Sequence, residues 1–323
     1  FWWGSVFLIN VPIVAVALAG TVLLGPPNKA NPAKHWDFIS SAYALLALSG
    51  LTMTIKEATR TGSGNALLIG AVIATVVGAV AFHQRQKRLH DPLLTFDIFR
   101  SRIFAGGVLA ATGGMFVLIG MEMTSTQRLQ LVDGFSPFHA GLSIAAVALV
   151  AFPFSIAGGA LLDRIGFLSI IGSGFLANAL GAVMSWWGSQ SDSFPLFLAG
   201  FLILGAGSSF IMSVSSIAII GAAPLERSGM AAGVEEVSYE FGTLITVAIT
   251  GSILPAVYAS NLPPELASAG MDAMFNPTTN PLASPAYTHA HEVVILFVAT
   301  AAALFGVATA WCFRGNPKSA VPR

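Results

Sequence analysis

Long apolar stretches separated by short polar ones run along the whole chain. Segments of about 20 largely apolar residues, the length a helix needs to cross a bilayer, recur at 4–24, 38–55, 64–83, 103–127, 138–161, 168–188, 195–220, 230–258 and 292–313. The pattern predicts an all-α polytopic membrane protein with nine transmembrane helices. Small residues inside these segments, such as Gly158-Gly159 and Gly205-Ala206-Gly207-Ser208-Ser209, predict close helix–helix contact. Trp2, Trp3, Trp36, Trp186, Trp187 and Trp311 fall near segment ends, where amphipathic indoles meet the headgroups.

Basic residues set the orientation, because cytoplasmic connections retain Lys and Arg. Lys29, Lys34, Arg85, Lys87, Arg88, Arg100, Arg102, Arg164, Arg227, Arg314, Lys318 and Arg323 fall on one side. Only Lys56, Arg60 and Arg128 fall on the other. The first helix is therefore expected to run from outside to inside, with the C-terminus cytoplasmic and the 259–291 connection outside, in the cell (inner) membrane. The run from His83 to His90 is an orientation signal or a contact for anionic lipid headgroups. The Pro-, Asn- and Ser-containing stretch from Ser260 to His289 is a lid or a tether.

Composition agrees with a lipid environment. Apolar residues make up 55% and charged residues 9%, against about 25% charged in a soluble domain, and the mean hydropathy is +0.77. A soluble enzyme, a secreted disulfide scaffold and a disordered chain are excluded. Fifteen basic residues balance fifteen acidic ones, so no basic excess marks a nucleic-acid partner, and Cys312 has no second cysteine to pair with. The chain opens Phe1-Trp2-Trp3-Gly4 without a charged n-region or cleavage site, and reads as the remainder of a longer protein.

Charge placed inside the spans is the most informative feature. Glu122, Glu235, Glu236 and Glu240 fall there with no Lys or Arg, and an ionisable group at membrane depth marks a functional candidate. With Glu235 as zero and about 100° per residue, Tyr239 falls at about 40°, Glu236 at about 100° and Glu240 at about 140°. Thr246, Thr250 and Thr243 fall at about 20°, 60° and 80°, which predicts a polar stripe on one helix. Glu240 lies about 15 to 18 Å past the cytoplasmic end, at the depth of a transporter site. Glu235, Glu236 and Glu240 are expected to act as one coupled set. Proton and organic cation then exclude one another, the minimum chemistry of an antiporter. Glu235 is alternatively hydrated at the boundary, and Glu122 solvated from outside. Glu122 sits among Met115, Met121 and Met123 beside Phe116, adaptable walls for a flat cation. Phe152, Phe154 and Tyr239 offer cation–π faces or plain packing. His289 and His291 lack a third and fourth ligand, so no metal is expected.

Several stretches resemble the fourteen-helix drug:proton antiporter branch of the major facilitator superfamily. Phe7-Leu8-Ile9-Asn10-Val11-Pro12 is similar to the segment opening that family's sixth helix. Leu129-Gln130, Gly134-Phe135-Ser136-Pro137 and Ala140-Gly141-Leu142 resemble its ninth-to-tenth connection. Gly159-Ala160-Leu161-Leu162-Asp163-Arg164-Ile165-Gly166 looks like the second copy of the G-x-L-x-D-R-x-G loop, with Phe167-Leu168 in place of the usual basic residues. Arg227-Ser228-Gly229, Ala232-Gly233 and Phe241-Gly242 resemble the start of the thirteenth helix. There, the quaternary-ammonium and methyl-viologen efflux pumps carry acids matching Glu235, Glu236 and Glu240.

The resemblance implies proton-coupled efflux of lipophilic organic cations by alternating access, driven by a proton gradient without a cofactor. Substrate and proton would meet Glu235, Glu236, Glu240, Tyr239, Glu122 and Met115, and Gly159, Asp163, Arg164 and Gly166 would form a gating loop. It also implies three parts: 1–24 as the last helix of the N-terminal half, 25–102 as two linking helices with a basic linker, and 103–323 as the six-helix C-terminal half. Five N-terminal helices needed for transport would be missing. Export of a neutral or anionic metabolite and a non-transporting membrane scaffold are the alternatives. No phosphate loop, H-E-x-x-H or G-x-S-x-G motif points to an enzyme.

Overall fold

A computed structural model describes residues 5–24, 37–58, 65–89 and 92–314. Trp2, Trp3 and Trp36, with the basic residues Lys29, Lys34, Arg60, Lys318 and Arg323, lie outside them. Among the described residues every regular element is helical. Contacts divide the chain into two units, Phe1–Phe38 and Ile39–Arg323.

The first unit holds α1 (Ser5–Leu8) and α2 (Asn10–Leu24). Its α2 has 15 residues and buries none of them.

The second unit opens with α3 (Phe38–Ala58), all but its first residue, and α4 (Asn65–Arg88). Glycine brings these two helices together: a Cβ on Gly78 would meet the backbone of Ala47 and Tyr43, and one on Gly50 the backbone of Ala71 and Thr75. Polar groups hidden at the seam are paired, as lipid demands. Gln86 Nε2 donates to Ser40 Oγ at 2.7 Å, and Gln86 Oε1 accepts from the backbone N–H of Leu94 at 3.1 Å. The basic run predicted to be a connection is helical as far as Arg88.

A 3-10 turn (Phe96–Arg100) then leads into α5 (Arg102–Leu131), α6 (Pro137–Gln190), α7 (Phe194–Gly221), α8 (Ser228–Asn261) and α9 (Asn280–Phe313). Ser101 caps α5 by accepting from the N–H of Phe104, and Ser136 caps α6 by accepting from that of His139, with Pro137 in the first turn, where its missing N–H costs nothing. As one straight rod, α6 would measure about 80 Å, far beyond a core of about 30 Å. It is broken at Gly166 (φ 78°, ψ 168°), between the two segments predicted at 138–161 and 168–188. Only glycine adopts that conformation readily.

The second arm of α6, 167–190, is zipped to α7 by glycines whose Cβ positions are filled by the opposite backbone: Gly181 against Gly200 and Leu204, Gly200 against Gly181 and Ser185, Gly188 against Phe197. Helices α5, α8 and α9 pack around this pair over a core of Phe116, Phe167, Phe175, Phe197, Phe201 and Ile211. Leu149, Leu304, Val307 and Trp311 face outward and exposed, so the solvent for which this surface is built is lipid.

Seven helices among the described residues are long and apolar enough to span a bilayer. The nine-helix expectation differs because α2 is short and α6 forms one broken element. A second correction concerns the last span. Expected from 292, α9 begins at Asn280, and α8 runs on to Asn261, so the connection shrinks to 262–279. It contains two 3-10 turns, Pro264–Leu266 and Gly270–Met274. Leu266, Ala273 and Met274 are buried, and the Tyr258 hydroxyl donates to the Gly270 carbonyl at 3.1 Å. The connection packs its buried apolar residues against the bundle and leaves Glu265, Ser268, Asp272, Asn276 and Thr278 exposed.

Candidate functional site

Helix α8 carries the acidic residues, and its two sides face different surroundings. Thr246 and Thr250 are buried, while Glu236 and Glu240 are exposed and Glu235 is half-buried. The expected stripe is therefore split along its length. Its low-angle edge turns into the bundle, and its high-angle edge, with Glu236 and Glu240 one turn apart, turns out. The close approach that sets this rotation is at Gly242, where a Cβ would collide with the Thr112 carbonyl and lie 3.0 Å from Met115 Cβ and from the Phe116 N. A bulkier residue there would turn or expel the helix.

Tyr239 ties Glu235 on the inward side. Its hydroxyl donates to Glu235 Oε1 at 2.9 Å. Met115 is brought against the acidic helix at Gly242, whereas Glu122 lies farther along α5, half-buried, about two residues past Gly120, which packs on Thr246. The structure thus joins Tyr239 to Glu235 and Met115 to α8, but draws the four carboxylates into no single cluster. Phe154 packs edge-on against Phe210 at 5.3 Å, and Phe152 is exposed.

The start of α8 is tied to the preceding linker. Arg227 Nη1 donates to Asp97 Oδ2 at 3.3 Å and to Thr95 Oγ1 at 3.1 Å, and the Thr95 N–H lies 3.3 Å from Met230 Sδ. The Thr95 hydroxyl, and then Arg227, hold the Asp97 carboxyl below its ordinary pKa. At the α6 break, Asp163 and Arg164 are exposed beside the buried Gly166, and Gly159 lies one helical turn and more before them.

A second polar group lies at the other end of α8's neighbours, and it corrects the expectation that no cation sits within the spans. Arg128, taken from the sequence as a loop residue, occupies the last turn of α5 and is 6% exposed. Its Nη1 bonds Asp133 Oδ2 at 3.0 Å, and its guanidinium lies 5.9 Å from the Phe197 ring centre. Burial pushes the Asp133 carboxyl up, an effect that Arg128 opposes and Asp192 reinforces. Glu292, expected at the edge of the last span, lies well inside α9, where it accepts from Gln190 Nε2 at 2.7 Å. His291 beside it is fully buried. Hydropathy windows end at charges, so a charge neutralised by a neighbour in space is pushed out of the predicted helix.

A sequence profile of the Major Facilitator Superfamily matches residues 1–245. The chain belongs to that superfamily. It is a multi-pass membrane protein of a transporter family and not an enzyme. Its relatives include the methyl viologen resistance protein SmvA of Salmonella typhimurium, 30% identical over 270 residues, with 81% of this chain and 53% of that protein covered. The multidrug efflux pump LfrA of Mycolicibacterium smegmatis is 29% identical over 262 residues, covering 81% and 52%. The multidrug resistance protein Stp of Mycobacterium tuberculosis is 29% identical over 274 residues, covering 84% and 50%.

This superfamily chain spans about half the length of the curated relatives it matches. Among solved structures, a bacterial homologue of the human lysosomal transporter Spinster, inward-facing and unoccupied, superposes with a TM-score of 0.50 at 14% identity, over 83% of this chain and 66% of that one. That likeness concerns the fold. Among the described residues, no three His, Cys, Asp or Glu side chains gather as a metal site.

Proposed function

We propose that this chain is the larger part of a proton-coupled exporter of lipophilic organic cations, such as quaternary ammonium compounds, dyes and viologens, working by alternating access. The observation that carries the reading is the exposed pair Glu236 and Glu240 on α8, one turn apart. Like charges at that spacing repel, and either a proton or a cation relieves the repulsion. Both ligands draw on the same carboxylates, so each displaces the other, which is the coupling an antiporter needs. Glu235, held by Tyr239, and Glu122 with Met115 complete the polar and adaptable lining. The names of the relatives, a methyl viologen resistance protein and multidrug pumps, support the cationic class.

In this reading the protein sits in the inner membrane with its C-terminus cytoplasmic. Residues 1–24 end the N-terminal half, 25–102 link, and 103–323 form the C-terminal half, with nine crossings in all when the two arms of α6 each span. The relatives' additional length would supply the opposite wall of the pathway. Gly159, Asp163, Arg164 and Gly166 form the gating loop at the cytoplasmic end.

The test is efflux of a fluorescent lipophilic cation from proteoliposomes holding the full-length protein, driven by a proton gradient. Wild type is expected to export the dye, and Glu236→Gln or Glu240→Gln to lose export or its coupling to protons, by about 10²-fold, the scale for removing a proton-transfer group. Equal export by all three proteins would remove these residues from the site. Absence of export in wild type would remove the function.

A further inference from the structure

The helix ends around Arg128 hold buried polar atoms that no partner satisfies. Neither Nδ1 nor Nε2 of His291 is hydrogen-bonded, and the same holds for Arg128 Nε, Ser125 Oγ and Ser189 Oγ. Leaving such an atom unpaired costs about 1–3 kcal/mol, so several on the same helix ends call for a physical reason. Polar, roomy sites of this kind fill with water. The room is there. A cavity of about 130 Å³ is lined by Arg128, Asp133, Asp192, Phe135, Phe194 and Phe197, and His291 lies behind Phe197, with ring centres 6.2 Å apart.

We propose that His291 is a proton-carrying site at the outer end of the pathway, reached by water through the Arg128–Asp133 cavity. This rests on the proton-coupled reading and on the orientation given above. With water in the cavity, an imidazole nitrogen takes a proton from a hydronium ion and leaves water. The step reverses when a water molecule takes that proton back as a hydronium ion. Imidazole is the side chain suited to such exchange near neutral pH.

Arg128 from α5, Asp133 from the α5–α6 connection and Asp192 from the α6–α7 turn line the cavity; Glu292 and His289 flank His291 on α9, and α8 brings Tyr258 against Tyr287 of α9. Helix α7 contributes Phe197, and α6 the neutral Gln190 that holds Glu292. Pairing with Asp133 offsets the Arg128 charge that a proton entering the cavity would meet.

The test measures export by the full-length protein in proteoliposomes as external pH is lowered from about 8 to about 6, across the ordinary His range, with the pH difference across the membrane held constant. Wild type is expected to accelerate several-fold, up to about tenfold per pH unit for one titrating site. His291→Gln and the milder His291→Asn are expected to flatten that response while melting within a few degrees of wild type. Either folded variant keeping the wild-type profile overturns the proposal. If wild type exports nothing, the exporter reading fails, and the proposal is judged on its own by imidazole ¹⁵N resonances of the reconstituted protein. A ring that titrates in wild type and disappears in His291→Gln sustains it. A His291 ring neutral throughout overturns it.

Discussion

Gly166 shows how much one residue decides. Its φ of 78° with ψ of 168° breaks a 54-residue helix into two arms of spanning length, in a region of backbone space that other residues enter at a cost of about 1–3 kcal/mol. Gly159 in the same motif is helical, and a Cβ there would make only ordinary contacts at 3.9 Å with Ile217 and Ser213. Gly166→Ala is therefore expected to lower the melting temperature of the detergent-solubilised protein measurably, and Gly159→Ala to leave it nearly unchanged, as circular dichroism melts can check. Equal effects would mean that the break is not what Gly166 supplies. The position of this break was legible in the sequence, because Gly166 closes a turn motif between two apolar segments. The continuation of helical hydrogen bonding up to it was not, because hydropathy reports burial in lipid and not backbone geometry.

At the level of elements, α5 and α8 illustrate what periodicity can and cannot give. The wheel placed Glu235, Tyr239, Thr246 and Thr250 on one arc, and the structure keeps that angular order. It could not say where the bundle surface would cut the arc, since that is fixed by the contact of Gly242 with the Thr112 carbonyl on another helix. Arg128 was misplaced for a related reason: its compensating partner, Asp133, lies beyond the helix end, and Phe197 beneath it comes from α7. Removing one member of a buried pair is worse than removing both. Arg128→Met is expected to destabilise the protein by about 2 kcal/mol, less than for a fully buried ion pair because Asp133 is 21% exposed. The Arg128→Met/Asp133→Asn double variant should recover at least about half of that loss in the same melts. A double variant as unstable as the sum of its singles would show that the pair acts independently.

For the whole molecule, the sequence established the class of fold outright: an apolar, charge-poor chain of repeated spans admits few architectures, and the superfamily match agrees. The end of α9 nearest the connection was hidden by Pro285, His289, His291 and Glu292, polar or helix-breaking residues that the tertiary structure satisfies or encloses. The distribution of Lys and Arg makes a further whole-chain prediction about orientation. With Cys312 replaced by Ser, a cysteine at Ser191 is expected to react with a membrane-impermeant maleimide in intact cells. One at Leu225, which is 89% exposed, should react only after permeabilisation. The opposite pattern would invert the topology.

The glycine seam between the second arm of α6 and α7 has a consequence for inheritance. At Gly181 and Gly200 the obstacle to a larger residue is the partner's main chain, which no compensating side-chain change can remove. A substitution on one helix has no matching substitution on the other. The pair is therefore free to vary only on its outer faces and passes between descendants as a fixed unit, while α8, whose acidic edge is open, can change there one residue at a time.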